Sequence, residues 1–397
     1  MPKGVSVYLS FHEPRRLRIP AVAASKPENL RDSVIDQERT ERFFRIWLEE
    51  VCEPYSCFMR RMVAAGARFV INVSGPLFES LTASRTRTAL SFMSLLRHPR
   101  VTFVCSEAKH SLSCYLDIDQ FTKQTRRSYD LAISNGIVPL GAVAPQMCLS
   151  ADIYYALARV PVSFVIADGY HSVLGGRNPG FFRRNGWGPF IFTRDSEMSL
   201  RITSMMDAPS EPLFELPAMR IAQQVAESEG DWVLLGLEAP SRSDRALVEG
   251  GLKFLEHLCG EIIRSKMEFV DVKGLIGNSE IPSTTLPLTP LPAVSAEYGS
   301  LSYFLGHPVQ QSIFGLMHQA YSVAQLTRND QVVEDALDLA QWDLLSLVHR
   351  LLMSNGHGQE PSYLAPEQWR RLGRDTVIGE IHRAIENFIV CVTEFYC

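Results

Sequence analysis

The chain lacks the runs and spacings that mark several protein classes. No stretch approaches the roughly 18 uncharged apolar residues of a membrane span. The amino-terminal apolar run, MPKGVSVYLSF, meets His12 and Glu13 too soon to be read as a secretory signal. No two of the eight cysteines (52, 57, 105, 114, 148, 259, 391, 397) have CxxC spacing, which argues against a structural zinc site. There is no HxxxH pair, no GxSxG nucleophile elbow and no GxxxxGK[ST] phosphate loop. Charge of one sign is also missing: 39 basic residues face 44 acidic ones, for a net charge of −5. Nothing electrostatic therefore favours nucleic acid or an anionic membrane as partner. Internal repeats and low-complexity tracts are absent.

What remains is an ordinary globular composition, 46% apolar and 21% charged, in 397 residues. That length suits two or three domains, or one large barrel with an appendage. Cys105 and Cys148 lie beside or within apolar runs, where a free thiol behaves as a small hydrophobe. The cysteines read as reduced thiols of a cytoplasmic protein.

Short apolar, β-branched runs alternate with helical periodicity through residue 275. Strands are expected at 5–11, 69–74, 101–104, 137–143, 162–167 and 231–237. Helices are expected at 38–66 (broken by Pro54), 81–98, 117–135, 151–159 and 247–259. The order implies a mainly parallel α/β core. The proline-rich TTLPLTPL at 284–291 marks a boundary. Beyond it 309–326, 330–353 and 366–393 carry apolar residues at i, i+3, i+4 spacing and read as helices.

Strand ends carry the candidate chemistry. VTFVCSEAKHSLSCYL (101–116) runs from a buried strand into Ser106, Glu107, Lys109 and His110. Sites of α/β folds are built on loops after the strands' carboxyl ends, so Glu107 is the first candidate for chemistry. A solvated loop is the plainer reading. His12 and Glu13 end the first strand. Asp168 ends the strand before a glycine-rich insertion, GGRNPGFFRRNGWG, that holds Arg177 and Trp187. Phe181, Phe182 and Trp187 could stack on a sugar face or pin the loop to the core, with equal weight on each.

The ordered strand ends resemble glycoside hydrolase family 57, in particular its α-amylase-like members. The resemblance rests on VYLSFHEPRRLR, FVINVSGPLFESL, CSEAKHSL, ADGYHSVLGGRNP and YFLGHPVQQ, which follow the family's blocks in order over most of the chain. It implies an α/β fold, an incomplete (β/α)7 barrel over residues 1–275, followed by an all-helical carboxyl-terminal region over 276–397. It also implies metal-free, cofactor-free retaining cleavage of α-glucosidic bonds, with α-glucan or maltooligosaccharide as partner. That chemistry takes a nucleophilic carboxylate and a second carboxyl acting as acid and then base.

By resemblance Glu107 falls on the nucleophile position. His12, Glu13, His110, Asp168, Arg177 and Trp187 fall in or near the sugar site. The family's general acid is the Asp of an Asp-Tyr-Glu-Thr block, matched here by Gly236-Leu237-Glu238-Ala239. A glycine donates no proton, and general acid–base help is worth typically ~10²–10⁴ in rate. Glu238 lies two residues on, on the same side of a strand, and is the possible substitute acid/base. Other departures agree: Glu13 for a glutamine, Gly176 for a tryptophan, His307-Pro308 for Asn-Glu, and Trp342-Asp343-Leu344 for Ser-Asp-His. Two readings follow. One is an impaired or inactive family member that binds glucan or serves as an interaction or regulatory subunit, alone or in an oligomer. The other is an active hydrolase or 4-α-glucanotransferase using Glu107 and Glu238.

Overall fold

The computed structural model describes residues 4–170, 174–182, 188–207, 214–230, 232–240, 244–277, 285–288, 302–353 and 363–396. The strands are β1 (Gly4–Phe11), β2 (Phe69–Val73), β3 (Val101–Cys105), β4 (Gly141–Val143), β5 (Phe164–Asp168), β6 (Phe181–Phe182), β7 (Phe190–Arg194), β8 (Trp232–Glu238) and β9 (Glu268–Phe269). Seven of them pair in parallel in the order β1-β2-β3-β4-β5-β7-β8, and β8 returns to β1, closing a barrel. β6 adds antiparallel to β7, and β9 pairs with the start of β1.

Alternation along each strand fills the barrel. Tyr8, Val70, Val104, Phe164, Ile166, Phe192 and Leu234 meet in one buried cluster. Two residues further along, the inward positions turn polar: Ser10, Asn72, Asp168, Arg194 and Gly236. The switch marks the carboxyl ends of the strands. Closure is uneven. β1 and β8 share seven paired positions from Gly4↔Trp232 to Ser10↔Glu238, whereas β7 and β8 share only Arg194↔Leu234.

Several elements differ from the sequence expectation for local reasons. Residues 37–64 stay helical through Pro54, because a π-helical turn over Leu48–Cys52 absorbs the donor that proline lacks. The helix expected over 81–98 is two helices, Gly75–Ala83 and Arg87–Leu96, the second capped by the Thr86 hydroxyl on the Ala89 N–H. The terminal helical run divides at Gly373, whose φ of 71° is left-handed. β7, absent from the sequence expectation, is the strand that completes the ring beside β8.

The chain divides into two compact units. The first holds Met1–His12, Arg45–Ala108 and Thr122–Tyr298, and contains the barrel. The second holds Glu13–Phe44, Lys109–Phe121 and Gly299–Cys397, and is helical, with Pro308–Leu326, Asp330–Leu339, Trp342–Met353 and Arg374–Tyr396 as its longer helices. Two segments ahead of residue 275 thus group with the carboxyl-terminal helices. Ion pairs hold them there: Arg15 to Asp338 at 2.5 Å and Lys109 to Asp338 at 3.2 Å. Such pairings across 229 and 323 residues leave no periodic trace in sequence. His307-Pro308 proves to be a helix start. The His307 ring accepts the Val309 N–H at 3.1 Å, and Gln310 accepts the His307 N–H at 3.2 Å. Among the described residues, no helix is long and apolar enough to cross a membrane.

Candidate active site at the strand ends

In the barrel unit, the mouth is built from the ends of β1, β2, β3, β5, β7 and β8. Glu107 follows β3 and is only 6% exposed. Its loop is seated against the start of the Gly75–Ala83 helix. A Cβ on Gly75 would lie 2.1 Å from the Ala108 carbonyl oxygen, so only glycine lets the two backbones approach this closely. One residue earlier, Ser74 meets the His12 ring, with Oγ and Nδ1 2.7 Å apart. Ser74 also donates its N–H to the Phe11 carbonyl. His12 is therefore oriented by the loop that also abuts the Glu107 segment.

Asp168 and Arg194 form a buried pair across neighbouring strands β5 and β7. Arg194 donates from Nε at 3.2 Å and from Nη2 at 3.0 Å to the two carboxylate oxygens. Ser196 donates a further, short bond to the same carboxylate. Asp168 has no exposed side-chain surface and Arg194 only 3%. Both Asp168 oxygens thus face protein donors.

The Arg194 stem lies directly over Gly236. A Cβ at 236 would sit 2.4 Å from Arg194 Cδ, 3.0 Å from its Cγ and 3.4 Å from a Tyr8 ring carbon. The space a longer side chain would occupy at 236 is taken by Arg194, whose guanidinium is anchored by Asp168. The Gly236 N–H is also fixed, donating to Ser199 Oγ at 2.9 Å. Burial pushes the Tyr8 hydroxyl well above the usual phenol range. The Glu238 charge adds to the rise, while Ser10, Arg194 and Asn72 oppose it. Glu238 itself, beyond the buried run of β8, is exposed.

The insertion after β5 keeps Arg177 exposed, donating to the Leu174 carbonyl at 3.1 Å. Gly176 has φ of +80°, with nothing within 4 Å of a Cβ built on it. A tryptophan there would strain the backbone. Trp187 lies outside the described residues. Phe181 and Phe182 are buried: Phe181 packs on Phe190 and Phe192 at 4.9 and 5.1 Å, the core reading of those two rings.

The helical unit carries Glu13 and His110. Glu13 is 4% exposed and paired with Arg16. The Arg16 guanidinium in turn lies over the Phe43 and Tyr363 rings at 4.1 and 5.0 Å. His110 has a left-handed φ of 53°, uncommon for a residue with a side chain. Its Nδ1 is 3.0 Å from Asp343 Oδ2, and its carbonyl accepts the Trp342 N–H. Asp343, named from sequence only as the remnant of a block, is the group that orients His110. Arg194 was missed because its strand was missed. The aromatic, β-branched run FIFTR ahead of Asp195 is the signal that could have found it.

A closed parallel barrel with carboxylates at the strand ends defines a barrel protein of the kind that builds sites on its carboxyl-terminal face. Residues 25–285 match the model of glycosyl hydrolase family 57, and the chain belongs to that family. Three solved structures share its fold. A 4-α-glucanotransferase from Thermococcus litoralis has a TM-score of 0.64 at 12% identity, covering 99% of this chain and 60% of its own. A family 57 branching enzyme from Thermococcus kodakaraensis has 0.62 at 13%, covering 99% and 94%. An α-amylase from Thermotoga maritima has 0.57 at 11%, again covering 99% and 94%. The chain thus spans only 60% of the glucanotransferase's length. Among curated proteins no sequence match is found.

Proposed function

We propose that this family 57 chain is directed at α-glucan but has lost the acid half of its catalytic pair, and acts in the cytoplasm as a glucan-binding or regulatory subunit. The observation that carries the reading is the Arg194 stem packed over Gly236, 2.4 Å from where a Cβ would stand. The acid position is thus not merely truncated; its volume has been given to a cation. A carboxyl reinstated there would face a guanidinium, which favours its ionised form and makes it a poor proton donor. By the family resemblance Glu107 falls on the nucleophile position, and His12, Asp168 and Arg177 of the barrel unit fall on positions matched to the sugar site. Asp168 and Glu13 act through the arginines they hold and are positioning groups, whereas Arg177 is free to meet solvent. The family's glucan-active relatives support the substrate class.

Without leaving-group protonation, departure of a sugar alkoxide is suppressed by about 10²–10⁴. Maltoheptaose incubated with the chain should release reducing ends no faster than with the Glu107→Gln variant. Robust turnover that disappears in Glu107→Gln would refute the proposal. It would favour the second reading, an active retaining hydrolase or 4-α-glucanotransferase with Glu107 as nucleophile and Glu238 as acid/base. The exposure of Glu238 at the end of β8 is the one observation on that side.

A further inference from the structure

We propose that the barrel unit carries a second ligand site at its opposite end, for the phosphate monoester of a small sugar. A cavity of about 350 Å³ opens beside the carboxyl ends of the Glu53–Ala64 and Arg87–Leu96 helices. It is lined by Arg60, Val63, Ala64, Leu95, His98 and Arg100. Arg100 immediately precedes β3, so this is the amino-terminal end of the strand whose other end leads into Glu107.

Three observations point to an anion. First, three of the six lining residues carry cationic or N–H donor groups and none is acidic, in a chain whose net charge is −5. Second, neighbouring arginines have carboxylate partners and the lining ones do not. Arg61 pairs with Glu256 at 2.7 Å and Arg68 with Asp271 at 3.3 Å. Among the described residues no carboxylate engages Arg60, His98 or Arg100. Third, two of the donors are tethered with donor atoms to spare. Arg60 Nη2 is held by the Ser91 carbonyl at 2.8 Å and hydroxyl at 2.5 Å, leaving the rest of the fork available. The Arg100 N–H donates to His98 Nδ1 at 3.1 Å. That bond assigns the neutral ring's proton to Nε2, which is left as a donor.

The shape narrows the class. Small-molecule pockets of about 300–1,000 Å³ hold more than an inorganic anion. The remaining lining residues, Val63, Ala64 and Leu95, are apolar and suit the C–H face of a sugar ring. A forked guanidinium pair suits a phosphate's oxygens, and the imidazole N–H adds a third donor.

Isothermal titration of the full chain at low salt with glucose 6-phosphate, inorganic phosphate and glucose tests this. Histidine ring resonances, assigned with His98→Gln, report the location. Glucose 6-phosphate should bind with a Kd of roughly millimolar order and move the His98 signals. Inorganic phosphate should bind several-fold more weakly, and glucose should leave His98 unmoved. Arg60→Gln and Arg100→Gln, which keep the stem packing, should each weaken binding about tenfold. Absence of any glucose 6-phosphate response at His98 would overturn the proposal. Equal affinity for phosphate and glucose 6-phosphate would overturn the sugar-phosphate assignment. Unchanged binding in both arginine variants would overturn the location.

Discussion

Each unit buries a charge system, and the two are built on opposite plans. In the barrel, Asp168 receives two donors from a single arginine, Arg194, and a third from Ser196. In the helical unit, Asp338 receives Arg15 at 2.5 Å and Lys109 at 3.2 Å, while Lys109 also reaches Glu334 at 3.4 Å and Arg31 reaches Asp335 at 3.5 Å. Burial pushes the Asp338 carboxyl up, but Arg15, Lys109 and Arg31 together outweigh it and the net direction is down. Asp335, one helical turn earlier, has no such surplus. Burial raises it to about 6, with the Asp338 charge adding and Gln331, Arg31 and Lys109 only partly opposing. Proximity to cations thus decides which buried aspartate stays charged. The Asp168–Arg194 pair fixes one side chain over one glycine, whereas the network holds three separated chain segments in one unit.

The largest expected effect breaks the Asp168–Arg194 pair. Asp168→Asn leaves the buried Arg194 charge without the Asp168 carboxylate and should cost about 3–5 kcal/mol in denaturant unfolding. Asp338→Asn should cost somewhat less, about 3 kcal/mol, because Lys109 retains Glu334; a cost above that of Asp168→Asn would reverse the comparison. Gly236→Ala inserts a methyl against the Arg194 stem and should lose about 1–3 kcal/mol by overpacking. An Arg194→Leu background should shrink that penalty, whereas an undiminished one would show that Arg194 does not fill the site. The smallest effect is on pH. The folded Asp335 pKa of about 6 lies above the unfolded 3.8. The folded state therefore binds more protons between those values, and stability falls as pH rises from about 4 to 7. Asp335→Asn should flatten that slope, by ~1–2 kcal/mol across the window after allowance for solvent and for coupling to Asp338. A slope unchanged by the substitution would contradict the assignment.

The barrel was legible because its strands are short apolar runs that end in polar residues. The six blocks from VSVYLSF to DWVLLGL needed only periodicity and order. The gaps have physical causes. β7 was missed because FIFTR follows a glycine-rich insertion that masks its edges, and with it went Arg194. The helical unit's claim on residues 13–44 and 109–121 rests on Arg15, Lys109 and Asp338, whose pairing is set by tertiary contact. Gly236 was legible as a missing acid, but the cation standing over it was not. The Gly75 contact with Ala108 likewise depends on a backbone approach that no spacing encodes.

The measurement that bears most directly on the two-carboxylate account is labelling of Glu107 by a 5-fluoro-α-glucosyl fluoride, read by mass spectrometry of the digested chain. Its fluoride leaves without a proton, so the missing acid is bypassed. A glycosyl adduct is expected on Glu107 in the wild type and none in Glu107→Gln, and the adduct should persist because no acid/base activates water at 236. Failure to label Glu107, or an adduct that turns over rapidly, would contradict it.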